Sequence, residues 1–148
     1  MYSKGIVILV ATAIAAGALA AAAASTGPGH MVAGAGATVE GDIQVSAQSG
    51  PAGEDAHGTI ILRDTFGGDN FIRAEVRCLA VFEEMASVVG EVVQARGELS
   101  PATPTYVLLE IRDGGTIDDV KIHLAERELF CIGPAIGNEV TSGNFTVR

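Results

Sequence analysis

The chain has 148 residues, 48% of them hydrophobic and 5% aromatic, and 9 Lys+Arg stand against 18 Asp+Glu for a formal net charge of -9. A balance this acidic repels nucleic-acid phosphates and anionic lipid head groups, and it leaves divalent cations and basic partners as the charges that would be attracted. The length fits one domain with a hydrophobic core of its own.

The first 24 residues read as a secretory signal. One positive charge, Lys4, precedes the apolar run Ile6-Val7-Ile8-Leu9-Val10, which decays into alanine up to Ala24 before the small residues Ser25-Thr26-Gly27-Pro28. A charged start, an apolar middle and small side chains at the cut are what a signal peptidase needs. The expected cut lies between Ala22 and Ser25. An uncleaved anchor is the alternative, because residues 5–24 reach the roughly 20 apolar residues that a bilayer requires. Alanine is only weakly favoured in hydrocarbon, however, and no basic stop-transfer cluster follows. No cysteine near the cut could take a lipid, and the lack of an Arg-Arg pair points to export as an unfolded chain. The expectation is therefore a secreted or extracellular protein with no membrane contact after cleavage. Residues 25–148 would keep 8 Lys+Arg against 18 Asp+Glu, a net charge of −10.

Residues 25–37 are Gly/Ala/Ser-rich with Pro28 and read as a flexible lead-in to a domain over residues 38–148. From Thr38 the pattern alternates. Val39, Gly41, Ile43, Val45 and Ala47 fall on one face and Glu40, Asp42, Gln44 and Ser46 on the other, which predicts a half-buried strand. A loop with Ser49-Gly50-Pro51 and Gly53 follows, then a strand over 57–63 and a turn over 64–69. The longest strand is expected over 70–82, with Ile72, Ala74, Val76, Cys78 and Ala80 inward. Residues 85–95 pair back onto it as a hairpin, where Val88-Val89 and Val92-Val93 break the alternation and predict a bulge or two buried faces. Further strands are expected over 105–112, 119–125, 129–132 and 144–147, the last pairing with the strand over 38–47. Nothing beyond the signal holds a helical period for ten residues. Seven or eight strands with regular turns describe an all-β antiparallel barrel or sandwich.

Cys78 and Cys131 are the only cysteines. An even count in an exported chain predicts one disulfide. Both lie in apolar runs and are expected in the core. Two lone cysteines lack the further ligands of a metal site, and a catalytic cysteine would need a histidine near it.

The runs Val76-Arg77-Cys78-Leu79-Ala80-Val81-Phe82 and Met85-Ala86-Ser87-Val88-Val89-Gly90-Glu91-Val92 resemble a motif of small secreted all-β bacterial proteins, V-x-C-L-x-V-x-G-N-x-A-x-V-x-G-x-V. The resemblance extends from about Gly34 to the C-terminus, through Leu109-Glu110-Ile111-Arg112-Asp113-Gly114-Gly115 and the closing Gly143-Asn144-Phe145-Thr146-Val147. It implies a fold and a compartment and carries no catalytic residues. The chain departs from it at the hairpin tip, where Glu83-Glu84 replaces Gly-Asn. A tight primed turn wants positive φ, which glutamate resists, so a wider loop is expected.

Candidate chemistry is thin. His30 falls in the lead-in and is expected to be solvated, His57 reads as a turn cap, and His123 points away from the core residues Ile122 and Leu124. No Gly-x-Ser-x-Gly elbow positions a nucleophile for a triad. Asp113, Asp118 and Asp119 bracket one glycine-bearing connection and Asp64, Asp69 and Asn70 another. Calcium takes six to eight oxygen ligands, so the first trio is a weak calcium candidate, but it matches no EF-hand spacing and an ordinary solvated turn is expected. Asn144-Phe145-Thr146 fits the glycosylation pattern and reads more simply as a strand. Tyr106 is the one candidate platform for a sugar. No catalytic residue, metal or cofactor is assigned. The leading expectation is a binding or structural module of the cell exterior with a cell-surface partner. A carrier of a small apolar ligand inside the barrel is the alternative, and a hydrolytic enzyme is a disfavoured second.

Overall fold

The computed structural model describes residues 27–98, 104–115, 118–131 and 138–148. The signal-like residues 1–24 and the end of the strand expected over 129–132 lie outside them. The described residues form one antiparallel sheet curled into a half-barrel, with eight full strands and one of two residues. In chain order these are β1 (His30–Thr38), β2 (Gly41–Ser49), β3 (His57–Arg63), β4 (Phe71–Phe82), β5 (Met85–Arg96), β6 (Tyr106–Arg112), β7 (Asp119–Ala125), β8 (Asn138–Glu139) and β9 (Ser142–Val147). Neighbours in sequence are neighbours in space from β1 to β8, and β9 returns to lie beside β1. One short 3₁₀ turn, Thr65–Gly67, connects β3 to β4, and the buried Asn70 side chain donates to the Thr65 carbonyl at 2.9 Å to hold it.

Most of the expected lead-in is strand. Residues 30–38 form β1, which pairs with β2 from His30↔Ser49 to Thr38↔Gly41 and with β9 from Val32↔Val147 to Ala37↔Ser142. The last strand therefore meets β1 and not the strand expected over 38–47, which begins three residues later as β2. Small residues hid β1 in the sequence, and close packing requires them. A Cβ on Gly34 would fall 2.8 Å from Phe145 Cδ1, and one on Gly36 would fall 3.1 Å from Phe145 Cε2. The glycines make room for the one aromatic ring that β9 buries, and Phe145 is 1% exposed.

Two irregularities in the β4–β5 ladder set which side chains face inward. The register shifts between Val76 and Cys78 leave Arg77 as an extra residue, and the shift between Arg73 and Ala74 leaves Val93 extra opposite them. Each bulge inverts the parity of the strand beyond it. Hence Val76 and Leu79 both face the core, Cys78 faces out, and Val93 is exposed. The expected inward set over 70–82 holds as far as Val76 and reverses after it, so the cysteines are not in the core. The hairpin tip also differs from expectation. Phe82 pairs with Met85, so the loop is two residues, with Glu83 at φ 56°. The Asp113 N–H donates to the Glu84 carbonyl at 2.8 Å and ties this tip to the next loop. The inward faces of all the full strands meet in one cluster that includes Ile60, Leu62, Ile72, Leu109, Ile111 and Phe145.

Candidate functional site

Two constructions stand apart from the core, one on the outer face of the sheet and one at its seam.

The outer face of β5 and β6 is buried where an exposed surface would be expected. Ser87, Val89, Leu108 and Glu110 are between 0% and 5% exposed, yet none belongs to the inner cluster. In register, Cys78 faces Val89, Val89 faces Leu108 and Leu108 faces His123, while Ser87 faces Glu110. These side chains share one side of a pleated sheet, because successive residues alternate faces. The chain leaving β7 turns back over them as a strap. Its residue Cys131 is bonded to Cys78 across 53 positions, with Cα atoms 6.0 Å apart, and its Sγ rests 3.4 Å from the Ser87 carbonyl. The disulfide expected from composition is present, but it pins a segment to the outside of the sheet.

Under this strap Glu110 Oε2 lies 2.9 Å from His123 Nε2. The carboxylate is buried and the histidine side chain is 39% exposed, so the pair reaches solvent only on the histidine side. Ser87 is fully buried, and the strand order β5-β6-β7 sets Glu110 between it and His123, whereas a serine hydrolase needs the imidazole in the middle. Sequence reading missed Glu110, because alternation along β6 assigns it to solvent. Its burial, 4% exposed, is not set by its neighbours along β6.

At the seam, the three aspartates named as weak calcium candidates come together as hydrogen-bond acceptors. Asp118 accepts from the Phe145 N–H at 2.6 Å and from the Gly114 N–H at 3.1 Å. Asp113 accepts from the Val147 N–H at 3.3 Å and from the Gly115 N–H at 3.1 Å. Asp119 is paired with Arg112, its partner across the β6–β7 ladder. Phe145 and Val147 alternate with the residues of β9 whose N–H groups point to β1, so their own donors face the open edge. Two carboxylates receive them. Asp118 and Asp119 are buried, while Gly114 and Gly115 between them and Asp113 are exposed. Among the described residues, no group of three His, Cys, Asp or Glu could hold a metal ion.

The remaining candidates are separate. His30 is half-buried, with Nε2 3.0 Å from the Pro51 carbonyl, and was expected in solvent; His57 Nδ1 lies 2.8 Å from the Asp55 carbonyl, closing the turn before β3. Tyr106 is half-buried at the start of β6, and Asn144 is exposed in β9. Two open clefts lie along the sheet. One of about 330 Å³ is lined by Ala35, Asp42, Gln44, Ile61, Arg63 and Ser142 among others, and one of about 220 Å³ runs between Pro51–Gly53 and the end of β4. Comparison with protein-family models finds no match, and neither the curated proteins nor the solved structures yield one.

Proposed function

We propose that the chain is an exported module of the cell exterior that works by binding or by structural support. The observation that carries this reading is the Cys78–Cys131 bond, which holds the strap against the sheet. A disulfide with a structural task persists in oxidising compartments and is rare in reducing ones. The order of residues 1–24 supports the same compartment, and the acidic surface suits a soluble partner of opposite charge. Two further features favour binding or support over the alternatives. The inward side chains form one buried apolar cluster where a carrier would need unfilled space, and Ser87, the serine that faces Glu110 in register, is fully buried and separated from the imidazole by Glu110.

Intact mass of the chain recovered from the periplasm or medium of an exporting host tests the reading. The expected product begins between residues 22 and 25 and gains the mass of two hydrogens on reduction. An unprocessed chain with both thiols free would overturn it.

A further inference from the structure

The upper half of β4 is an edge in the middle of the sheet. β3 pairs with β4 only from Thr59↔Glu75 to Arg63↔Phe71, while β4 continues to Phe82 and pairs there with β5 alone. In an antiparallel ladder, backbone groups point alternately to the two neighbours. Counted from the Phe82↔Met85 pair that closes the hairpin, Leu79 and Val81 direct their N–H and C=O away from β5. The loop between β2 and β3 approaches this side. A Cβ on Gly53 would lie 3.0 Å from the Leu79 carbonyl oxygen, so the loop covers that acceptor. Beyond it, Val81 finds no backbone partner among the described residues. The cleft of about 220 Å³ runs here, with His30, Pro51 and Ala52 on one side and Leu79 to Phe82 on the other. Phe82 is 47% exposed at its mouth.

We infer that this cleft takes a short extended peptide segment of a basic partner, hydrogen-bonded to the outward backbone groups of Val81 in β4, beyond the part of the edge that the Pro51–Gly53 loop covers. Unpaired strand edges recruit extended chains through main-chain hydrogen bonds, and neighbouring pockets read the alternate side chains. Charge selects the partner. Glu83 and Glu84 are both exposed at the tip that ends the cleft, on a chain of net charge -9. A second copy of this chain is the poorer occupant, since edge-to-edge pairing would bring two acidic tips to one seam. The inference deepens the binding-module reading and rests on it.

The probe is the capped heptapeptide Lys-Val-Thr-Val-Thr-Val-Lys, titrated at low salt against the oxidised full chain recovered after export. Two controls accompany it, the same peptide with alternate backbone nitrogens methylated and the protein variant Glu83→Lys/Glu84→Lys. Saturable binding is expected, weakened at least about tenfold by methylation, which removes the main-chain donors, and at least about tenfold by the charge reversal. Lack of saturable binding, equal binding of the methylated peptide, equal binding by the reversed tip, or a dimer in sedimentation equilibrium that the probe does not dissociate would each overturn the inference. Because the protein used is already processed and oxidised, failure of the probe overturns the docking edge and leaves the reading of export standing.

Discussion

Glu83 occupies a left-handed conformation that glutamate adopts at a cost of roughly 1–2 kcal/mol and glycine adopts freely. Glycine gives back part of that gain through the entropy of the unfolded chain. Glu83→Gly is expected to raise stability by about 0.5–1 kcal/mol, read as a melting temperature a few degrees higher. The opposite sign holds at Gly90, whose added Cβ would meet Ala74 Cβ at 2.9 Å and Ile60 Cδ1 at 3.1 Å. The aspartates of the seam carry a second expectation. Asp113 and Asp118 direct their oxygens at backbone N–H groups of β9 and of their own loop, and a cation would have to displace those donors. A site filled by calcium would stabilise the folded chain by RT ln(1 + [L]/Kd). Millimolar calcium should leave the melting temperature unchanged, and a rise of several degrees reversed by chelator would contradict this.

At the scale of elements, the strap and β4 depend on one another. The bulge at Arg77 turns Cys78 outward, and that orientation lets Cys131 reach it across β5. Closing a loop of this length stabilises a fold by about 4 kcal/mol in the chain-entropy treatment. Cys131→Ser should lose stability of that order. Amides of residues 126–131 should exchange fast in the variant while those of β2 and β3 stay protected, as measured by hydrogen exchange. Uniform exchange across both regions would show the strap to be no separate unit. The strands over 57–63, 71–82, 85–96, 106–112 and 119–125 were legible because each alternates or runs apolar between turn residues. The side on which Cys78 sits was not. The bulge at Arg77 depends on pairing with a partner strand, and a one-residue shift inverts every side chain beyond it, whereas the bulge at Val93 falls where Val92-Val93 breaks the alternation in the sequence. β1 escaped notice for a different reason. Its inward positions Gly34 and Gly36 are small because Phe145, more than a hundred residues away, fills the space, and composition alone resembles a linker. Glu110 was missed likewise, since alternation along β6 places it with Tyr106 and Arg112 and gives no sign of its burial.

For the whole molecule, the sheet ends at β8 on one side and β9 on the other, and the free side of β9 meets Asp113 and Asp118 at the seam. β9 adds the final strand beside β1, and its Phe145 fills the space left by two glycines. Burying a phenylalanine contributes about 1.5–3 kcal/mol, against roughly 5–15 kcal/mol for a domain. Deleting residues 142–148 would also strip β1 of one neighbour and remove the Phe145 and Val147 donors that Asp118 and Asp113 now meet. The truncated chain should be unfolded or aggregated, and a soluble form melting within a degree or two of the full chain would contradict the closure. The most direct test of the seam is amide exchange at Phe145, whose N–H faces it and donates to the Asp118 carboxylate. In the full chain it should exchange orders of magnitude slower than a free edge amide. In Asp118→Ala it should exchange fast while the amides that pair β1 with β2 remain slow. A Phe145 amide that exchanges at the rate of an exposed edge in the unaltered protein would contradict the account.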